Sequence, residues 1–365
     1  MRHTSNELYV DILETLHVIL SPSGRPLSAL AHGSIAMTAK VSGVPDIILS
    51  LSAPGGSSQQ MSSGIARTIT SPSFHPCVRL ARWKERPGEL SFVPPDGRFM
   101  LAGYECDLLS YNFNDERPPT HAEKLFLPAT VDLRTNLGER GNEFEARITL
   151  NNNFPGAPAP KPISAPRPGL AAVRGGSAVQ GGITNPFATG AQAGSSGAPV
   201  LEAVSVTIPF PTDVKAVLDF RASRGDAQFD LATKTVIWRI PIKETGSVNG
   251  TATLKGVVAS DSAVEEDMVQ DINQVDSEYY GDEQILEQKL QRLSLSASKT
   301  KIKSKSLMPR SLSASFTVRG WLPSGIKVES LQIDPKKSKG LGAGVTPYKG
   351  VKYVTVSRQG VEKRV

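Results

Sequence analysis

Apolar positions along this chain fall in short runs, many at alternate residues, and most runs are bounded by Gly, Pro, Asn or Asp. Residues 8–20 (LYVDILETLHVIL) mix apolar and polar side chains in a way that suits a strand or a helix. The turn chemistry of Ser21-Pro22-Ser23-Gly24, and the partial alternation that resumes over 33–41, favour a β-hairpin. Further runs rich in β-branched and aromatic residues cover 47–52, 78–83, 90–93, 126–133, 144–150, 204–210, 236–242, 315–318, 326–333 and 351–356. Many short strands with few long helical patterns predict an all-β chain of sandwich architecture.

Two stretches break the pattern. Residues 155–199 are rich in Pro, Gly, Ala and Ser, carry no acidic residue, and have Phe187 as their only aromatic. Such a segment buries too little apolar surface to offset the entropy of ordering and reads as a disordered insertion. Residues 261–310 form the second break: 261–287 hold ten acidic and no basic residues, and 289–310 hold seven basic and no acidic ones. Opposed charge blocks read as a solvated loop, within which Leu286, Leu290 and Leu293 fall on one face of a short amphipathic helix.

Composition narrows the classes. The 365 residues, 39% apolar and 21% charged, suffice for one large or two moderate domains. A net charge of +6 points mildly to anionic partners such as a membrane surface. No motif for nucleic acid accompanies the charge, and no nucleic-acid partner is expected. Cys77 and Cys106 form neither a CxxC pair nor a disulfide framework and fit a reducing compartment. No apolar run approaches the ~20 residues of a membrane helix, and acidic residues interrupt the first apolar segment, unlike a secretory signal. A cytoplasmic protein is the default.

Catalytic constellations do not assemble. His3, His17, His32, His75 and His121 show no HExxH and no zinc-type spacing. There is no GxSxG elbow, and the GSSG at 194–197 lacks the strand and helix that an elbow needs. Gly340, Gly342 and Gly344 make a glycine-rich loop without a following helix signal. His75 and Cys77 share a strand face by default rather than by pairing. No catalytic residue, metal ligand or cofactor is predicted.

One pair of segments is far more specific. Phe74-His75-Pro76-Cys77-Val78-Arg79-Leu80 precedes residues 91–101 (SFVPPDGRFML), a run that closes on Tyr104. Pro94-Pro95-Asp96-Gly97 makes a tight turn in which Pro fixes φ and Gly97 accepts a positive φ, with Phe92, Phe99 and Leu101 packing inward. Together the segments resemble the signature of adaptor mu subunits, the medium chains of clathrin-type adaptors: a FHxCVRL strand before an xFxPPDGxFxLxxY hairpin. Other landmarks agree in order: Asn6 to Asp11 (NELYVD), Ser42 to Asp46 (SGVPD), Pro323 to Val328 (PSGIKV) and Gly350 to Val354 (GVKYV). The likeness runs from Asn6 to the C-terminus outside the two insertions. Within the family, the His-Pro before Cys77, the Trp83 after that strand and the ending KGVKYVT resemble the branch of adaptor protein complex 3. That branch serves transport to lysosomes or vacuoles, and the insertions resemble fungal elaborations.

The resemblance implies a mu homology domain: an elongated immunoglobulin-like β-sandwich of two interlinked subdomains. Residues 1–120 and 321–365 would form subdomain A, and 121–320 subdomain B with both insertions. It implies an N-terminal longin-like domain that does not precede these residues, so the chain reads as a fragment or a truncated product. It also implies a function, recognition of Tyr-x-x-Φ sorting peptides (Φ a bulky apolar residue) on membrane cargo. The peptide adds as a strand along 352–355, and two pockets select its side chains. By position, the cargo tyrosine would meet Tyr9, Asp11, Thr38, Tyr353 and Thr355, with Asp11 accepting the phenol hydrogen and repelling a phosphotyrosine. The Φ pocket would be lined by Leu8, Val10, Val328, Leu331 and Val354 and by the methylene stem of Lys352.

Three departures matter. Thr38 stands where the plasma-membrane branch has a lysine, Tyr353 replaces a Trp and Thr355 replaces an Arg. With two cations missing, and charged hydrogen bonds worth ~1.5–3 kcal/mol each, binding in the tens of micromolar or weaker is expected. Implied partners are delta, beta and sigma adaptor chains and an Arf-type GTPase, on Golgi and endosomal membranes and coated vesicles. Asn185-Pro186-Phe187 resembles the motif taken up by EH-domain proteins. Lys299, Lys301, Lys303 and Lys305 suit weak contact with anionic headgroups, although the preceding acidic block can neutralise them. The alternative reading is a mu-fold scaffold with a degenerate pocket, acting only in complex assembly.

Overall fold

The computed structural model describes residues 3–54, 61–109, 125–155, 198–242, 250–259, 307–341 and 348–365. The insertions lie almost wholly outside these residues. So do Asn185-Pro186-Phe187, the leucines of 282–293 and the four lysines from Lys299 to Lys305.

β1 (Glu7–Leu20) and β2 (Pro26–Lys40) form an antiparallel hairpin, its turn closed by Gly24 N–H donating to the Ser21 carbonyl at 2.9 Å. Every second residue of β1, from Leu8 to Leu20, is buried. That period of two is the strand reading of 8–20 and excludes the helical one.

The hairpin sits in a nine-stranded sheet ordered β11 (Asp226–Asp230), β12 (Thr235–Ile240), β9 (Val200–Pro209), β14 (Ser311–Arg319), β16 (Tyr348–Arg364), β1, β2, β6 (Gly97–Asp107), β4 (Thr70–Phe74). A four-stranded sheet, β10 (Ala216–Ala222), β13 (Gly250–Ala259), β8 (Glu143–Leu150), β7 (Ala129–Leu137), faces one half of it. A three-stranded sheet, β15 (Lys327–Ile333), β3 (Ile47–Ser52), β5 (Glu89–Phe92), faces the other half.

Two cores result. Leu8, Val10 and Ile12 enter the core under the three-stranded sheet, and Leu16, Val18 and Leu20 enter the core under the four-stranded one. All six have the same parity, so both small sheets pack on one face of the long sheet, leaving the odd-numbered residues of β1 outward. The connection after β14 runs between the cores: Trp321 packs in one and Leu322 in the other.

The structure corrects two local readings. Residues 78–83 are not a strand: Val78 makes one isolated bridge to Phe92, and a short helix (Leu80–Glu85) follows. Pro76 removes a ladder donor, and Leu80-Ala81-Arg82 are strong helix formers. The segment around Pro94-Pro95-Asp96-Gly97 is not a hairpin either. β5 pairs with β3 and β6 pairs with β2, so the turn is a corner between two layers, with Gly97 at φ +92°. Two prolines in succession cannot carry a ladder onward, which releases the chain from the small sheet. Phe92 and Leu101 are buried as the pattern predicts, and the half-buried Phe99 ring sits 5.2 Å from that of His75.

The signature segments meet at this corner. Arg79 donates to both carboxylate oxygens of Asp46, at 2.9 and 2.6 Å, and to Ser91 Oγ at 2.8 Å. One guanidinium thus ties the segments FHPCVRL, SGVPD and SFVPPDG together. Their specificity in sequence reflects a structural fastening.

A second fastening joins the layers. Lys363 of β16 is ion-paired with Asp132 of β7. Burial pushes the Asp132 carboxyl up, but its bond to Lys363 and that residue's charge outweigh this and hold it below the ordinary range. A depressed folded value contributes stability that is present above the unfolded value and lost as pH falls through the folded one. Because Asp132 is nearly half exposed, Lys363→Met is expected to cost about 1 kcal/mol at neutral pH. The cost should fade below about pH 4, as urea denaturation at both pH values will show.

Candidate functional site

On the outward face of the long sheet, Tyr9 lies opposite Thr38, and Thr38 opposite Arg98 of β6. Asp11 and Leu13 of the same face lie beside Lys352 and Val354 of β16. Arg98 Nη2 is 3.4 Å from Asp11 Oδ2. Tyr9, Asp11, Thr38, Lys352 and Val354 therefore gather on one surface, with Arg98 paired to Asp11.

The other predicted residues face inward. Tyr353 and Thr355 sit beside Ile12 and Glu14 of β1. Thr355 is fully buried, its Oγ1 donating to the Trp321 carbonyl at 2.6 Å. Leu8 and Val10 are likewise buried in the core. Val328 and Leu331, on β15, are half-buried at the rim of that same core. Tyr353 reaches this rim, where its hydroxyl accepts the Val328 N–H at 2.9 Å. Burial pushes the Tyr353 phenol up, so it stays neutral. β16 thus carries residues of both proposed pockets, on opposite faces.

What β16 leaves unpaired is the important feature. Its pairing with β14 ends at Val354 opposite Arg319, and Gly320 N–H then donates to the Tyr353 carbonyl at 2.8 Å. Before that point, among the described residues, residues 348–352 pair with β1 alone. The pairing edge therefore lies earlier than 352–355, since Val354 and Thr355 are already opposite β14. Donor and acceptor directions alternate along a strand. With the Tyr353 carbonyl on the β14 side, the amide and carbonyl of Val351 point to that same side, where no described strand pairs with them. Among the described residues, β15 is itself the edge of its sheet and pairs with β3 alone. Half-buried Val328, Leu331, Ile333, Tyr348 and Tyr353 pack at the core beside these two edges. Unpaired main-chain groups next to half-buried apolar side chains are what an added strand requires.

Sequence reasoning missed several neighbours of the outward surface. Arg98 supplies a positive charge next to Asp11, and Leu13 and Met100 are exposed on the same surface. Finding them needs the β1–β2–β6 register, which no local motif encodes. Also missed was a buried polar cluster. Glu14 accepts from the Tyr104 hydroxyl at 2.6 Å and from the Ser324 N–H at 3.1 Å, and also from the Ser324 hydroxyl. A cleft of about 180 Å³ lies at another corner, lined by Val44, Pro45, Val93 and Pro94, and shares no residue with the predicted site. Among the described residues no group of three or more His, Cys, Asp or Glu is placed to hold a metal ion. None of the described helices is long and apolar enough to cross a membrane.

Comparison with known proteins bears on this geometry. The model of the adaptor complexes medium subunit family matches residues 1–365. The chain is 38% identical over 104 residues to AP-3 complex subunit mu-2 of Homo sapiens and to AP-3 complex subunit mu-1 of Gallus gallus. Each match covers 28% of this chain and 22% of the relative, so the matched part is under a quarter of those proteins' length. The fold is similar to a chain in a homology model of the full-length AP-3 complex in an intermediate open conformation. That likeness has a TM-score of 0.52 and 17% identity, and covers 100% of this chain and 69% of the other. It is also similar to the yeast delta-COP-I mu-homology domain, with a TM-score of 0.50, 11% identity and 100% of both chains covered.

Proposed function

Because the chain belongs to the adaptor complexes medium subunit family, we propose that it is the cargo-recognition module of a vesicle-coat adaptor, binding Tyr-x-x-Φ signals as an added β-strand. The similarity to AP-3 mu chains supports placing it in that branch. Delta, beta and sigma chains, an Arf-type GTPase and Golgi or endosomal membranes would then be its partners, and delivery to lysosomes or vacuoles its task. The observation that carries the reading is the edge at 348–352, which among the described residues pairs with β1 alone and lies beside half-buried apolar side chains of β15 and β16.

Main-chain pairing along that edge supplies affinity, and the flanking side chains supply choice. Val328 and Leu331 at the core rim suit the Φ residue, with Leu8 and Val10 as the fixed wall behind them. Asp11, with Tyr9, Thr38 and Arg98 around it, suits the cargo hydroxyl. Arg98 offsets part of the repulsion that Asp11 would exert on a phosphotyrosine, so charge-based rejection is weaker than for an unpaired carboxylate. Asp11→Asn is expected to lower affinity about ten-fold, the worth of one charged hydrogen bond, in a fluorescence anisotropy titration.

Strand addition has its own signature. N-methylation of successive peptide amides should abolish binding at alternate positions only, because every second amide faces β16. Uniform tolerance of methylation would remove the strand-addition reading. The competing scaffold reading draws on the complete burial of Leu8, Val10 and Thr355 and predicts no binding of any peptide in the series.

A further inference from the structure

Away from the proposed groove, the outward face of the long sheet carries a pair of imidazoles that the peptide reading does not use. On β1 and β2, His17 lies opposite Leu30 and His32 opposite Thr15, so the two histidines are diagonal neighbours across the hairpin. Diagonal neighbours sit about 7–8 Å apart at the backbone, within reach of ring side chains. The ring centroids are 5.3 Å apart at an interplanar angle of 71°, and both side chains are exposed. Two imidazoles on one tetrahedral ion, each with a metal–nitrogen bond of about 2.0 Å, hold their centroids about 5 Å apart. The observed spacing fits such a chelate, and rotation of the exposed side chains between their rotamers suffices to aim the nitrogens. On the far side of His32, Glu105 of β6 places Oε1 3.4 Å from Nδ1. A carboxylate at one imidazole nitrogen orients the ring and leaves the other nitrogen for a metal, the arrangement that ligating histidines commonly have.

We propose that His17 and His32 form a two-histidine site for a divalent transition-metal ion of the zinc type, with Glu105 behind His32 as a positioning residue. The donor set points to that class. Imidazole suits zinc and its late first-row neighbours, whereas hard cations such as Mg²⁺ and Ca²⁺ take oxygen ligands. Two protein ligands leave two positions of a tetrahedral ion to water or to a partner's side chain, so the site is exchangeable rather than a closed structural centre. It is accordingly distinct from a centre of three or more His, Cys, Asp or Glu ligands, of which the described residues have none. A bound ion would cross-link β1 to β2 near the hairpin turn. At roughly 3.4 Å per residue, His17 stands about 20 Å along β1 from Asp11. The site is therefore separate from the surface proposed for the cargo hydroxyl, and the inference goes beyond the peptide reading without depending on it. No spacing in the sequence announces the pair, because the hairpin register brings it together.

The test titrates Zn²⁺ into the untagged chain, following binding by isothermal calorimetry and the histidine ring signals by NMR. One equivalent is expected to bind, with the His17 and His32 ring signals shifting together. His17→Ala and His32→Ala should each weaken binding by roughly ten-fold or more, and Glu105→Gln by about ten-fold with both ligands in place. All three side chains are exposed, so thermal unfolding of the metal-free variants should match wild type, which separates lost binding from lost folding. Zinc should raise the unfolding midpoint of wild type and not that of either alanine variant. Unchanged affinity in either alanine variant, or ring shifts confined to His3, His75 or His121, overturns the site, because the ion then binds elsewhere. Absence of saturable binding at millimolar Zn²⁺ overturns it as well and leaves the pair as a ring contact beside a surface ion pair. Unchanged affinity in Glu105→Gln overturns the positioning role of Glu105.

Discussion

Glu14→Ala is expected to destabilise the protein by about 3 kcal/mol, far more than a typical strand substitution. Glu14 is fully buried where the two cores meet. Its carboxylate accepts the Tyr104 hydroxyl from β6 and both the N–H and the hydroxyl of Ser324 from the connection before β15. Removing it strands these donors out of contact with water, and each stranded donor costs about 1–3 kcal/mol. The void left behind adds to the loss. Set against this is the desolvation of a carboxylate, which alanine relieves. Burial is also the largest influence on the group and pushes its pKa up from the ordinary carboxylate value, against the hydrogen bonds from Ser324 and Tyr104. A raised folded pKa gives a contribution fully present below the unfolded value and lost as pH rises through the folded one. The difference between wild type and Glu14→Ala should therefore be larger at pH 4.5 than at pH 8, and urea denaturation at the two pH values measures both.

Gly33→Ala is the second large expectation, again about 3 kcal/mol. Gly33 faces Tyr104 across β2 and β6, and a Cβ there would lie 2.0 Å from the Tyr104 ring. The ring cannot step aside freely, because it is buried and its hydroxyl is held by Glu14. The glycine is thus required by a close approach rather than by its backbone angle. A double-mutant cycle isolates the cause: Gly33→Ala should cost much less in a Tyr104→Ala background. An equal cost in both backgrounds would place the strain elsewhere. Both substitutions also loosen the Ser324 connection that leads into β15, so each should weaken peptide capture at the proposed groove.

Much of this architecture is legible in the amino-acid sequence. Alternation in β1, the turn at Ser21-Pro22-Ser23-Gly24 and the run at 47–52 are local signals, and the structure has each of them. β10, β11 and β13 carry no such signal, because Asp219, Asp226, Gly250 and Gly256 dilute the β-branched pattern that marks a strand. Residues 78–83 mislead in the other direction. Their apolar content resembles a strand, yet Pro76 and the Leu80-Ala81-Arg82 sequence make a helical turn there.

For the site, the residue types and their order were visible, but the faces were not. Tyr353 and Thr355 turn inward while Lys352 and Val354 turn outward, a consequence of the parallel register of β16 with β1. A register between strands more than three hundred residues apart in sequence has no local signature. The same holds for Arg98 beside Asp11 and for Glu14 under Ser324.

The central claim is that the edge at 348–352 takes a Tyr-x-x-Φ peptide as a strand, and amide-resolved NMR titration of the purified protein tests it most directly. Saturable micromolar binding is predicted, with the amides of Val351, Tyr353 and Val328 shifting most and becoming protected from exchange. A Tyr→Ala peptide should produce none of this. Absence of shifts at millimolar peptide, or shifts confined to residues remote from β15 and β16, would contradict the account and leave the assembly scaffold as the function of the fold.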